Sequence, residues 1–166
     1  MEVLDMHYIG VIGDGTADTR SASVAYEVGR FIAQSGAVLV CGGLGGIMEA
    51  AAKGAKSAGG TTLGILPGEK REDANQFVDI AVPTGIGEAR NSIVVRCSDG
   101  LVAVGGRFGT LSEIAFALCF GKPVAGIETW ELGKNGVPSA GIMCAHSARD
   151  AVESVLKALE KKMAGE

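Results

Sequence analysis

Seven short apolar runs alternate with helical patterns along this chain, and that alternation leaves few architectures open. The runs are Tyr8–Ile12, Ala37–Cys41, Thr61–Leu66, Phe77–Val82, Leu101–Val104, Val124–Ile127 and Ile142–Ala145. Most lack strict apolar/polar alternation, as expected of parallel strands covered on both faces. Between them, Val24, Val28, Phe31 and Ile32 make a helical stripe ended by Gly36, and Met48, Ala51, Ala52 and Ala55 make another ended by Gly59-Gly60. Ala89, Ile93 and Cys97 mark a third helix, a fourth is predicted to begin at Thr110, and Val152, Val155, Leu156, Leu159 and Met163 give the last, N-capped by Ser147. The pattern implies right-handed βαβ units, and hence an α/β fold: a doubly wound parallel sheet of about seven strands with helices on both faces. The segments Pro67–Gln76 and Thr129–Ala140 read as long loops. No linker or repeat divides residues 1–166, which are expected to form one domain.

Composition removes several functional classes. The formal charge is −4 with no basic run, and aromatics are only 5%, so neither a basic groove nor a base-stacking platform for nucleic acid is expected. No apolar run approaches membrane-spanning length, and the start Met1-Glu2-Val3-Leu4-Asp5 has no leader-like pattern; a cytoplasmic protein is expected. Cys41, Cys97, Cys119 and Cys144 form no CxxC pair and read as buried free thiols. His7 and His146 have no ligand-spaced neighbours, so no metal is expected, and no cofactor motif stands out.

The most informative junction is Gly105-Gly106-Arg107-Phe108-Gly109-Thr110-Leu111-Ser112-Glu113. A strand that ends in glycines and opens into a helix presents free backbone N–H groups and the positive end of a helix dipole, which together favour a phosphate or other anion. After the first strand, Gly13-Asp14-Gly15-Thr16 is not GxGxxG, because Asp18 stands where the third glycine would be, and the second strand ends without an acid to hold a ribose. NAD binding is therefore not expected, and no glycine loop is followed by the Lys-Ser or Lys-Thr of a P-loop. The second loop, Gly42-Gly43-Leu44-Gly45-Gly46-Ile47-Met48, has two explanations: close helix–sheet packing, or close backbone approach by a ligand. In an open parallel sheet, ligands sit beyond the carboxyl ends of the strands, so the loops after the first, second and fifth strands are expected to converge.

Two charged residues stand near that rim. Arg90 is one residue off the Ala89/Ile93/Cys97 stripe, so it either edges the pocket, where it suits phosphate or carboxylate, or pairs with Glu88 on the surface. Arg96, close to Asp99, reads as structural. Glu113 fits a capping box with Thr110 and equally a reactive carboxylate beside an anion site. In either role the helix N-terminus would favour its ionised form, which suits a general base or a cation stabiliser.

Gly42-Gly43-x-Gly45-Gly46-x-Met48, the helix start at Arg90, and Gly105-Gly106…Gly109-Thr110-x-x-Glu113, in this order, resemble the "Lonely guy" nucleoside-5′-monophosphate phosphoribohydrolases and the related molybdenum-cofactor carrier proteins. Nothing resembles a pyridoxal-phosphate site, as the older lysine decarboxylase label for such proteins would require. The resemblance runs from about Tyr8 to Gly121. It implies a Rossmann-like nucleotide-binding domain, with Gly13, Gly15, Gly42, Gly43, Gly45, Met48, Gly105, Gly106, Arg107, Gly109 and Thr110 around a phosphorylated ligand, and with Arg90 and Glu113 at the catalytic positions. It also implies a homo-oligomer. The hydrolase motif reads Pro-Gly-Gly-x-Gly-Thr-x-x-Glu with an upstream Arg-Lys pair. Here Val104 replaces the proline, Arg107-Phe108 makes the loop one residue longer, and Asn91 stands in place of the lysine.

Three functions follow as expectations. The first is hydrolysis of the N-glycosidic bond of a nucleoside 5′-monophosphate, in which Glu113 would stabilise the oxocarbenium-like state at the ribose and Arg90 would hold the phosphate. The second is non-catalytic binding or carriage of a nucleotide or molybdenum cofactor. The third is single-stranded DNA binding, as in DNA-processing proteins of the same superfold, and the acidic charge argues against it.

Overall fold

Seven parallel strands make the main sheet, and their order fixes where a ligand can sit. The computed structural model describes residues 6–139 and 141–165. The acidic start Met1–Asp5 and Ala140, the last residue of the second long loop, lie outside the described residues. The strands of the sheet are β1 (Tyr8–Gly13), β2 (Val38–Cys41), β3 (Thr62–Leu66), β4 (Ile80–Pro83), β5 (Gly100–Val104) and β6 (Val124–Ile127). A two-stranded antiparallel hairpin, β7 (Gly133–Lys134) and β8 (Val137–Pro138), precedes the seventh, β9 (Met143–Cys144). The order is β4-β3-β2-β1-β5-β6-β9, so the winding reverses between β1 and β5. That reversal opens a crevice at the carboxyl ends of these two strands.

Helices α1 (Thr19–Gln34), α2 (Ile47–Ser57) and α5 (Ala148–Ala164) cover one face, and α3 (Asn91–Cys97) and α4 (Phe108–Cys119) the other. Strand β5 shows how the sequence serves both layers. Val102 and Val104 pack with Val28, Ala51 and Val155, whereas Leu101 and Ala103 pack with Val94 and Ile114. Period-two side chains buried on both faces account for the uninterrupted apolar run. Each such Val, Leu or Ile contributes ~1.5–3 kcal/mol by leaving water. On the first face, α1 and α2 meet backbone to backbone, because a Cβ at Gly29 would overlap the Ala51 carbonyl and one at Gly54 that of Tyr26.

The helix ends follow their caps. Asp18 accepts from Ser21 N at 2.7 Å at the start of α1, and Ser147 accepts from Asp150 N at 3.1 Å at the start of α5. Gly36, just past α1, takes φ +79°, the left-handed conformation of a helix stop.

Several sequence expectations shift. The fourth strand starts at Ile80 rather than Phe77, because Thr62 Oγ1 donates to the Phe77 carbonyl at 2.6 Å and the Asp79 carboxylate accepts from Thr62 N at 2.9 Å, holding the chain in a turn. As an edge strand β4 is only half covered, and Ile80 is 53% exposed. The Thr129–Ala140 loop contains the β7–β8 hairpin, turned by Asn135-Gly136 with φ +55° and +75°. Of the cysteines only Cys41 is buried, and Cys119 and Cys144 are exposed. Arg96 is structural, but its guanidinium lies over the Phe120 ring at 3.5 Å; Asp99 instead accepts from Tyr8 N at 2.8 Å. No helix among the described residues is long and apolar enough to cross a membrane.

Candidate functional site

The loops after β1, β2 and β5 do converge at the crevice. One cavity there, about 190 Å³, is bounded by the Gly13–Gly15 turn, Gly42 and Met48 from the second loop, Arg90, and Gly109, Thr110 and Glu113 of α4. A neighbouring cavity of about 230 Å³ has Gly105 and Gly106 in its wall and shares Asp14 with the first. Gly43 and Gly45 line neither: Gly43 packs on Leu66 and Gly64, and Gly45 on the Gly15 carbonyl. Arg107 lies at the rim, its side chain 79% exposed, with Nε 3.6 Å from Asp14 Oδ2.

The fourth helix begins two residues before the predicted Thr110. Its N-cap is Arg107, which makes no side-chain capping bond, and the ladder starts with Leu111 N donating to the Arg107 carbonyl at 2.9 Å. The N–H groups of Phe108, Gly109 and Thr110 therefore have no partner within the helix, at the positive end of its dipole. The turn before it is held from outside. Gly105 N donates to the Ile127 carbonyl at 3.0 Å, Thr129 Oγ1 to the Gly105 carbonyl, and Trp130 Nε1 to the Arg107 carbonyl at 3.2 Å. The second loop is tied to the first where Ile47 N donates to the Asp14 carbonyl at 3.0 Å.

This start removes the capping-box reading of Glu113. Thr110 is in the first turn of α4 rather than at its cap, and Glu113 falls in the second turn, 6% exposed. The expectation of an ionised Glu113 is also overturned. Burial pushes its pKa up to about 8; Arg90 opposes the rise and Glu88 adds to it. Desolvation outweighs the dipole because the carboxyl lies beyond the first turn, where the dipole's influence fades.

Arg90 closes a 3-10 turn, Gly87–Arg90, directly before α3. The buried stripe of this region is Arg90, Asn91, Val94 and Val95, one residue on from the expected one, so Arg90 turns inward and is 5% exposed. No ion pair joins it to Glu88 among the described residues, and its Nε has no hydrogen-bond partner. The second loop makes room for it, since a Cβ on Gly42 would overlap Arg90 Nη1 and stand 2.6 Å from Met48 Sδ. Gly42 thus makes room for the Arg90 side chain as well as bounding the cavity. Gly42→Ala is expected to cost about 1–3 kcal/mol, the usual penalty for overpacking, in a urea unfolding titration. A variant as stable as the parent would show that Arg90 is free to move.

Beneath the loop, burial raises the Cys41 thiol to about 11, so it is not a nucleophile at neutral pH. Asn91, which stands in place of the motif lysine, lines the first cavity, and residues the sequence did not place include Asp18, Ser21 and Glu128 in the second. Glu128 was findable, since it directly follows β6 at the carboxyl edge. Asn91 bridges the two helices of its layer, donating through Nδ2 to Ser112 Oγ at 3.2 Å. A larger cavity, about 550 Å³, lies at the other end of the sheet beside Tyr8 and Asp99. Its Lys122 is already spent on the Val95, Arg96 and Ser98 carbonyls, and no strand–helix loop converges there.

Residues 6–159 match the SLOG cluster4 family. A protein of Archaeoglobus fulgidus is 54% identical over 72% of this chain and 79% of its own length. The cytokinin riboside 5′-monophosphate phosphoribohydrolase of Mycobacterium tuberculosis is 34% identical over 64% of this chain, which spans 62% of that protein. Among solved structures, the molybdenum cofactor binding protein of Rippkaea orientalis superposes with TM-score 0.85 at 37% identity, over 94% of this chain and 99% of that one. The Moco carrier protein of Chlamydomonas reinhardtii gives TM-score 0.83 at 37% identity, over 95% and 99%.

Proposed function

The chain belongs to the SLOG cluster4 family, and from that footing we propose that it binds and carries a phosphorylated cofactor of the molybdopterin type in the β1/β5 crevice without cleaving it. The observation that carries this reading is the burial of Glu113, 6% exposed, which favours its uncharged form. A group with a pKa of about 8 is mostly uncharged at neutral pH, whereas cleavage through an oxocarbenium-like state needs a carboxylate anion beside the ribose. The unpartnered Arg90 Nε and the uncapped N-terminus of α4 suit a phosphate. The near full-length likeness to two carriers supports the same reading. The exposed Ile80, Val82 and Phe116 supply apolar surface for a homo-oligomer.

A second reading, nucleoside 5′-monophosphate hydrolysis, is favoured by Arg90 and Glu113 lining one cavity. The two part in one experiment: incubation with a panel of nucleoside monophosphates, following free base and ribose 5-phosphate by chromatography, beside gel filtration with molybdenum cofactor. Carriage predicts co-elution of the cofactor and no free base above the blank. Catalytic release of free base would put the hydrolase reading first.

A further inference from the structure

We propose that the second cavity receives the donor edge of a 2-amino-4-oxo-pyrimidine ring, the edge shared by guanine and pterins, and that Asp14 reads it. The proposal rests on the assignment of the phosphate end to Arg90 and α4. At about 190 and 230 Å³, each cavity is smaller than the roughly 300 Å³ at which small-ligand pockets begin. A ligand that spans both is therefore the natural occupant, and Asp14 is the residue common to both walls.

The two halves differ in charge. The first holds Arg90, nine-tenths buried with an unpartnered Nε, and the free N–H groups of α4. Among the described residues the lining of the second includes no cation, and Arg107 and Arg20 reach two of its carboxylates only from the exposed side; its polar groups are the carboxylates of Asp14, Asp18 and Glu128 and the hydroxyls of Thr16 and Ser21. A second phosphate would meet like charge there, whereas ionised carboxylates accept hydrogen bonds and nothing else. The occupant of that half must donate. Val24, Ile47, Val104 and Ile127 add apolar walls that suit a flat ring.

Of the three carboxylates only Asp14 accepts no hydrogen bond among the described residues. Asp18 Oδ1 accepts from the N–H and hydroxyl of Ser21, both at 2.7 Å, and Glu128 is paired with Arg20. The Asp14 side chain, 30% exposed, accepts no hydrogen bond among the described residues and has only the exposed Arg107 Nε at 3.6 Å. A ring N–H beside an exocyclic amino group offers two parallel donors to one carboxylate, the fork geometry that makes such contacts selective.

The test measures binding of GMP, IMP, 2′-deoxy-GMP and ribose 5-phosphate by calorimetry. IMP lacks the 2-amino group and 2′-deoxy-GMP lacks the sugar hydroxyl. GMP is expected to bind about 10-fold or more tighter than IMP, with 2′-deoxy-GMP within about 3-fold of GMP. Asp14→Asn and Asp14→Ala should erase the GMP/IMP difference while ribose 5-phosphate still binds, since Asp14 holds Ile47 N through its backbone carbonyl, which neither change removes. Two variants guard against a misfolded one. Equal affinity for GMP and IMP, with ribose 5-phosphate bound, overturns the ring assignment alone. Weak 2′-deoxy-GMP would give Asp14 to the sugar and overturn it too. If no probe binds, ribose 5-phosphate included, the assignment of the phosphate end fails and takes this one with it.

Discussion

Raising the pH from 5 to 9 is expected to destabilise the ligand-free protein, and Glu113→Gln is expected to abolish most of that loss. The folded protein holds a proton on Glu113 up to about pH 8, whereas the unfolded chain releases it near 4.5, as an ordinary glutamate does. Between those values the folded state binds more protons, so stability falls as pH rises. It is greatest below pH 4.5 and levels off above pH 8. At about 1.4 kcal/mol per pKa unit, the change is on the order of 4 kcal/mol, or about 10 °C in Tm for a chain of this size. Other groups titrate in this range, so the measurement is the difference between the parent and Glu113→Gln in thermal melts at pH 5, 7 and 9. The variant should be the more stable at pH 9. A difference independent of pH would mean that Arg90 keeps Glu113 ionised throughout, and the main argument against hydrolysis would fall with it.

Arg90→Ala is expected to weaken binding of ribose 5-phosphate by roughly 10- to 100-fold, the loss of one hydrogen-bonded charge pair at ~1.5–3 kcal/mol. Arg90→Lys should recover only part of it, because an ammonium cannot present the planar fork. The fold should tolerate the change, since the guanidinium forms no ion pair among the described residues and its Nε is unpartnered. The experiment is calorimetric titration beside a thermal melt. Unchanged affinity with a sharply lower Tm would make Arg90 a packing residue held by Gly42 and Met48.

The alternation of apolar runs and helical stripes determined the parallel sheet, its helices on both faces and the convergence of the glycine loops, because strand burial on two faces writes itself directly into hydropathy. The chain's own residues also carried the family resemblance, through the glycine spacing and through Arg90 and Glu113. Local chemistry that depends on one-residue registration was not legible. Arg90 reads from its spacing as a pocket edge or a surface partner of Glu88, and it is buried at the cavity because the inward stripe that it begins runs on through Val94 and Val95 of α3. Glu113 reads equally as a cap, because Thr110-x-x-Glu113 is a capping pattern, and as a reactive carboxylate; the cap falls away because α4 starts at Phe108 once Gly105 and Arg107 are tied to Ile127, Thr129 and Trp130. Those partners come from the end of β6 and the segment after it, beyond the whole of α4. The sequence by itself therefore determined the architecture and the end of the sheet that forms the crevice. Only the tertiary structure decided the charge within it, because desolvation and the division of the crevice at Asp14 arise from residues that meet only when the sheet is assembled.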